Sequence, residues 1–264
     1  MAYDFNSNGK TTHTLATGQK ALTARTYHAA IKRDTAGSSN YGTVFTIETA
    51  GAVRRCLFAN DNGDGGWGLV FRQNFSGGDY NWSVPYPGDT NWHYYTIVYA
   101  GTSTAPVIYK DGVSQTVITR TSGSGTLQTD DAVLIIGNRS TSGEGWDGGI
   151  CELAIWNRQL TADEINALGK GFSPLFFRGG MVFHPDLIRN SNDLIMGSNG
   201  TDTNTTVIPH HKTIYPKSLF STFVPASAGT IVLKTLDGLA RASVKTFQGL
   251  ASASTKAFNG LSNV

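Results

Sequence analysis

The stretch from Trp92 to Ile118, WHYYTIVYAGTSTAPVIYKDGVSQTVI, constrains the fold more than any other. From Tyr94 to Tyr99 side chains alternate: Tyr94, Thr96 and Val98 fall on one side of an extended chain, and Tyr95, Ile97 and Tyr99 on the other. Both sets are bulky, which predicts a strand inside a sandwich with one face toward the core. Asp111-Gly112 then separates two strand-like runs. A two-residue primed turn requires positive φ at both centres, and Asp-Gly meets that requirement, so a hairpin is predicted here.

The same grammar recurs. GTVFTIE, RRCLFAN, GWGLVFRQ, AVLIIGNR and GGICELAIWN are short β-rich runs punctuated by glycine. With 31 glycines and only 15% charged residues, the chain suits a turn-rich β protein better than a helical one. Strands of this length and spacing predict an antiparallel jelly-roll β-sandwich, an all-β fold, over residues 1–170. One short helix closes it. Thr161 is a natural N-cap, Glu164 can complete a capping box, and Ile165 and Leu168 supply an apolar side.

After residue 170 the pattern changes. Residues 171–223 mix short apolar runs with Asn, Thr, Gly and Pro and hold no sustained period, which reads as an irregular β extension. Residues 224–264 form a linker and a C-terminal arm with three eleven-residue repeats. Lys234, Lys245 and Lys256 mark the period, as do Gly238, Gly249 and Gly260. Leu236, Leu239, Phe247, Leu250, Phe258 and Leu261 are the apolar anchors of the repeats. A helix would gather them into one stripe, but its glycines would each cost about 1 kcal/mol relative to alanine. Strand pairs could turn at Asp237-Gly238 and Asn259-Gly260. An arm that orders only against other subunits is the third reading and the expectation adopted, because so little apolar area cannot offset its own ordering entropy.

Charge is unevenly placed. The segment from Ile231 onward carries +3 of the net +2, leaving 17 basic and 18 acidic residues elsewhere. A near-neutral body argues against the clustered basic face of a nucleic-acid binder. No run reaches bilayer length, and the first twenty residues contain no signal-like apolar core, so the expectation is a chain made in the cytosol with no membrane partner. Cys56 and Cys151 are too few for a disulfide framework and read as two buried thiols.

Four segments in order, TNWHYYTIVYAG, VIYKDGV, LIIGNRS and GWDGGICELAIWNRQLTADEI, resemble the laminin G-like (concanavalin A-like) jelly-roll family over about residues 40–166. The resemblance implies a two-sheet antiparallel sandwich in which Trp92 packs in the core. LGKGFSPLFFRGGMVFHPDLIRN, VIPHHKTIYP and the ASVKTFQGLASAS type of repeat are similar to segments of tailed-bacteriophage structural proteins. That second resemblance implies a virion protein exposed on the particle exterior, partnered by other capsid or tail proteins. By analogy it is a homo-oligomer, with a trimer plausible.

The residues bound the chemistry. A retaining glycosidase needs two carboxylates about 5–5.5 Å apart, on alternating strand positions of one face. The strand GGICELAIWN offers Glu152 alone, and Glu144 and Asp147 precede it in a loop, so no catalytic residue and no enzyme is expected. His184, Asp186, His210 and His211 match no metal-ligand spacing. Asp61, Asn62 and Asp64 in NDNGDGG could ligate calcium or simply make a tight turn; otherwise no cofactor is expected. For a glycan, Tyr80, Trp82 and Tyr86 in one loop and Trp146 with Asp147 in another are the candidate platform, the alternative being that these rings cover sandwich edges. The leading expectation is a phage capsid decoration protein held by its repeats. The alternative is a carbohydrate-binding module of a tail fibre or spike that recognises host polysaccharide.

Overall fold

In a computed structural model, the described residues are 2–20, 23–35, 41–49, 52–61, 67–87, 89–128, 132–141, 143–185, 187–188, 190–216 and six dipeptides of the tail. The chain from Met1 to Tyr215 forms one compact unit and that from Pro216 to Val264 another.

Fourteen strands build the first unit. They are β1 (Ala2–Thr14), β2 (Arg25–Ile31), β3 (Tyr41–Thr49), β4 (Ala52–Asp61), β5 (Trp67–Phe75), β6 (Gly78–Pro85) and β7 (His93–Tyr99). Then follow β8 (Val107–Lys110), β9 (Val113–Ser114), β10 (Ile118–Thr121), β11 (Val133–Ile136), β12 (Gly148–Trp156), β13 (Met181–Phe183) and β14 (Thr201–Ile208). One antiparallel layer runs β10-β6-β5-β4-β3-β11 and the other β12-β2-β7-β8-β9. β1 belongs to both: Tyr3–Phe5 pair with β12, and Thr11–Thr14 pair with β11. Between the layers lies an aromatic core, where Tyr27 of β2 stacks on Phe45 of β3 at 5.2 Å and Phe71 of β5 meets Tyr99 of β7 edge-on at 5.5 Å. The expected all-β sandwich is the observed architecture.

Local chemistry explains the details. Asp111 and Gly112 sit at φ 52° and 79°, the pair of left-handed residues that joins β8 to β9. Tyr95, Ile97 and Tyr99 enter the core, while Tyr94 and Val98 meet smaller apolar clusters on the opposite face. The helix α1 (Ala162–Gly169) has the expected Thr161–Glu164 capping box. Arg158 donates to both Glu164 oxygens at 2.8 and 2.6 Å, and this charge-assisted pair holds the Glu164 carboxyl down to about 2. Ile165 and Leu168 bury that helix against Ala154, Trp156 and Leu160. Trp92 is half-buried and packs over Gly149, whose missing Cβ makes room for the indole.

Residues 171–215 share the sandwich rather than hanging from it. β13 extends the β12 edge and β14 pairs along β1. At the bulge between Cys151 and Ala154, Glu152 takes a left-handed φ of 53°, and its buried carboxylate accepts from Ser173 Oγ at 3.0 Å and from the Tyr215 hydroxyl. Cys151 is a buried free thiol; the Cys56 side chain lies outside the described residues. In the second unit each repeat is a minimal hairpin: β15 (Thr235–Leu236) with β16 (Leu239–Ala240), β17 (Thr246–Phe247) with β18 (Leu250–Ala251), and β19 (Ala257–Phe258) with β20 (Leu261–Ser262). These residues form strand pairs, not the helical stripe. No helix among the described residues is long and apolar enough to cross a membrane.

Candidate functional site

The aromatic residues singled out from sequence are brought together, but inside the protein. Trp82 and Trp146 are 1% and 0% exposed and Tyr86 is 7% exposed, so none of the three offers an open ring to a sugar. The stretch around Trp82 is not a loop. It is strand β6, where Tyr80, Trp82 and Val84 alternate toward the core and Asp79, Asn81 and Ser83 toward the other face. Trp82 stacks between Phe71 at 6.2 Å and Tyr80 at 5.1 Å. Trp146 donates its indole N–H to the Lys32 carbonyl at 3.0 Å and meets Tyr86 edge-on at 6.2 Å. Burial beside its ring neighbours pushes the Tyr86 phenol well above its ordinary range. Tyr80 is half-buried on Phe75, and Asp147, half-buried, accepts from Thr35 Oγ1. The glycan platform expected from Trp82, Tyr86 and Trp146 is therefore corrected: their large apolar areas are worth more in the core than at a rim.

Asp61 ends β4, and Asn62 and Asp64 lie outside the described residues, as does Asp186. Among the described residues no group of three or more His, Cys, Asp or Glu side chains is arranged to hold a metal. His184 is fully buried with Nδ1 2.9 Å from the Leu153 carbonyl, and His211 meets the Tyr94 hydroxyl at 2.5 Å; both serve packing of the extension. For the tail anchors, Leu236 pairs with Leu239, Phe247 with Leu250 and Phe258 with Leu261 in the same register each time.

An accessible site lies elsewhere. A groove of about 630 Å³ opens between the end of β1 and the segment that leads into β14. Thr12, Thr14, Leu15 and Ala16 form one wall, and Met196, Gly197, Ser198, Asn199 and Thr201 the other. Its volume falls in the range of about 300–1,000 Å³ typical of small-molecule sites. The β1 period explains the first wall: Thr11 and His13 turn inward, leaving Thr12 and Thr14 outward. Met196, 46% exposed, adds an adaptable apolar surface.

Gln19, buried in a 3-10 turn after β1, ties the two walls. Its Oε1 accepts from Ala16 N at 2.7 Å and from Ser198 Oγ at 2.6 Å. Its amide donates to the Val182 carbonyl at 2.9 Å and to Asp193 Oδ2 at 2.8 Å. Asp193 in turn accepts from the backbone N–H groups of His184, Ile195 and Met196, which sets the turn of the second wall. His13 donates from Nδ1 to the Ser198 carbonyl at 2.6 Å, and burial keeps its ring neutral by lowering its pKa. The polar groups of Gln19, Ser198 and Asp193 are committed to this underlay, and His13 Nε2 is buried without a partner among the described residues. The side chains of Thr12, Thr14, Asn199 and Thr201, by contrast, make no hydrogen bond among the described residues. A preformed groove with uncommitted hydroxyl and amide groups is suited to binding a polyhydroxylated ligand. Replacing Gln19 with alanine is expected to destabilise the chain by about 1–3 kcal/mol, since it leaves Ser198 and Asp193 short of buried partners. Amide exchange at Ile195 and Met196 should accelerate beyond that of α1 if the wall depends on this hub.

Two antiparallel sheets sharing β1, closed by a capped helix, define a lectin-like β-sandwich. A family model described as the concanavalin A-like lectin/glucanases superfamily matches residues 6–166, and the chain belongs to that family. Among solved structures, a candidate carbohydrate binding protein from Bacteroides ovatus aligns with TM-score 0.54 at 18% identity, covering 78% of this chain and 59% of that one. A heptameric SAP-like pentraxin from Limulus polyphemus aligns at 0.49 with 17% identity, covering 63% and 80%. The CBM40 of a Ruminococcus gnavus IT-sialidase aligns at 0.45 with 12% identity, covering 63% and 96%. At these identities the likenesses concern the fold. No curated protein sequence matches the chain.

Proposed function

We propose that this chain is a non-enzymatic, carbohydrate-binding component of a bacteriophage particle, of the tail-fibre or spike kind, whose sandwich recognises a host surface polysaccharide. The groove along residues 12–16 and 196–201 carries this reading, because it is open, held by a buried hydrogen-bond hub and walled by free hydroxyl and amide groups. The fold supports it: the Bacteroides protein of similar architecture is a carbohydrate-binding candidate. A non-catalytic role fits the described residues of the groove walls, which include no carboxylate to act as acid, base or nucleophile. Capsid decoration, the leading expectation from sequence, makes no use of this groove, so recognition is placed first. An array of bacterial surface polysaccharides probed with the full chain tests the reading. Binding to one or a few glycans, lost on crowding the groove by Thr14→Trp, is the expected result. Uniform absence of binding would refute it.

A role in assembly rests on a separate observation, the identical register of the three tail hairpins. Two-residue strands are far too short to stand alone, and a surface that repeats at the same interval would cover them. Another copy of the same tail or a neighbouring virion protein meets that need. The expected result is that the full chain sediments as an oligomer and a chain ending at Tyr215 as a monomer. Identical sedimentation of the two would remove the tail from assembly.

A further inference from the structure

Charge in the groove narrows the kind of sugar. The described residues that line it are Thr, Leu, Ala, Met, Gly, Ser and Asn, with no Lys, Arg, His, Asp or Glu among them. Three nearby ionisable groups are turned to other work. Asp193 accepts from Gln19 and three backbone N–H groups beneath the floor. Asp202 accepts from the Tyr3 hydroxyl at 2.9 Å and from Thr11 Oγ1 at 2.8 Å. His13 is buried under the first wall.

From this arrangement we infer that the groove takes a neutral polysaccharide, and binds it without a bridging cation. The inference rests on the glycan-binding reading of the same groove. An anionic sugar such as a sialic or uronic acid would bring a carboxylate to a surface whose described residues supply no cation and no paired donor fork. Desolvating that carboxylate would go uncompensated. A neutral pyranose instead presents hydroxyls, which Thr12, Thr14, Asn199 and Thr201 can each meet as donor or acceptor. Its C–H face has Met196 to pack on. Among the described residues of the walls there is also no carboxylate to hold a calcium ion between protein and sugar. Recognition here is by hydrogen bonds and apolar contact, so it is insensitive to salt.

The test uses the full chain with two sets of probes, neutral dextran, mannan and galactan and anionic polysialic acid, hyaluronan and heparin, in isothermal titration or surface binding. At least one neutral polymer is expected to bind, with affinity changing less than about twofold between about 50 and 500 mM NaCl, where charge attraction would be screened away. Chelation with EDTA should leave it unchanged. Asn199→Ala, at an exposed position that leaves the hub intact, should weaken it by about tenfold, as loss of one good hydrogen bond predicts. Binding of the anionic polymers alone, weakening with salt yet sensitive to Asn199→Ala, would overturn the neutral-sugar inference and leave the groove as a glycan site. Binding abolished by EDTA would likewise overturn the cation-free part. Failure of all six polymers together with a silent polysaccharide array would overturn the glycan reading itself.

Discussion

Trp146→Ala is expected to cost the sandwich about 3–5 kcal/mol, read as a lower denaturation midpoint in urea with little change in slope. Trp146 has no exposed surface and fills the space that Gly42 leaves open, 3.1 Å from where a Cβ would stand. Its indole N–H also satisfies the Lys32 carbonyl, and its flank is covered by Tyr86, which stacks on Tyr95 at 6.1 Å. Truncation thus opens a large cavity and strips a buried acceptor at once, two penalties that reinforce one another. Trp146→Phe should recover part of the loss by refilling the space without the hydrogen bond. A solvent-facing sugar platform would behave oppositely. There the alanine variant would retain its midpoint and lose only glycan affinity.

Acid is expected to weaken the fold well above the carboxylate range. His28 lies fully buried between β12 and β7, with Nδ1 2.9 Å from Thr96 Oγ1. Burial first, and the neighbouring His184 second, hold its pKa down to about 3. His13 is lowered as well, chiefly by burial. In the unfolded chain both imidazoles take up a proton near pH 6.5, while in the folded chain they remain neutral. The unfolded state therefore binds more protons below pH 6.5, and stability falls as pH falls from there toward the folded pKa. Each such histidine contributes a slope approaching about 1.4 kcal/mol per pH unit. Between pH 6.5 and 4.5 the His28 share alone is about 2–3 kcal/mol, above the window in which Glu164 begins to matter. Urea midpoints across that range should decline steeply for the parent and less steeply for His28→Gln. A flat parent profile would mean that these rings are hydrated or charged in the native state.

Much of the fold was legible because it rests on local rules. The Asp111-Gly112 turn, the Thr161–Glu164 cap and the alternating strand β7 were each dictated by a few adjacent residues, and each is present as expected. What escaped was set by tertiary context. GGDYNWSVPYPGD looks like a loop because glycine and proline bound it, yet the period-two spacing of Tyr80, Trp82 and Val84 makes it a strand when a core is there to receive them. TDTNTTVI has no apolar face and so gave no signal, since β14 is exposed along its length and is fixed by pairing with β1 instead. The long first strand hid for a similar reason, changing sheets midway.

The candidate site was legible still less. Its walls come from residues about 180 positions apart, and neither THTLATGQ nor MGSNGTDT carries a motif. Exposed aromatics are the expected mark of sugar binding, and here the core claims them. A signal did exist in Gln19, an amide in a polar turn with no visible surface purpose. Its role becomes plain only when Asp193 and Ser198 arrive beside it.

Hydrogen exchange of the full chain, with and without a saturating polysaccharide identified on the array, tests the central claim most directly. Binding should slow exchange at residues 12–16 and 196–201 and leave the outer faces of β5, β6 and β10 unchanged. Slowed exchange confined to those outer faces or to the loop after β6, with none at the groove, would contradict it.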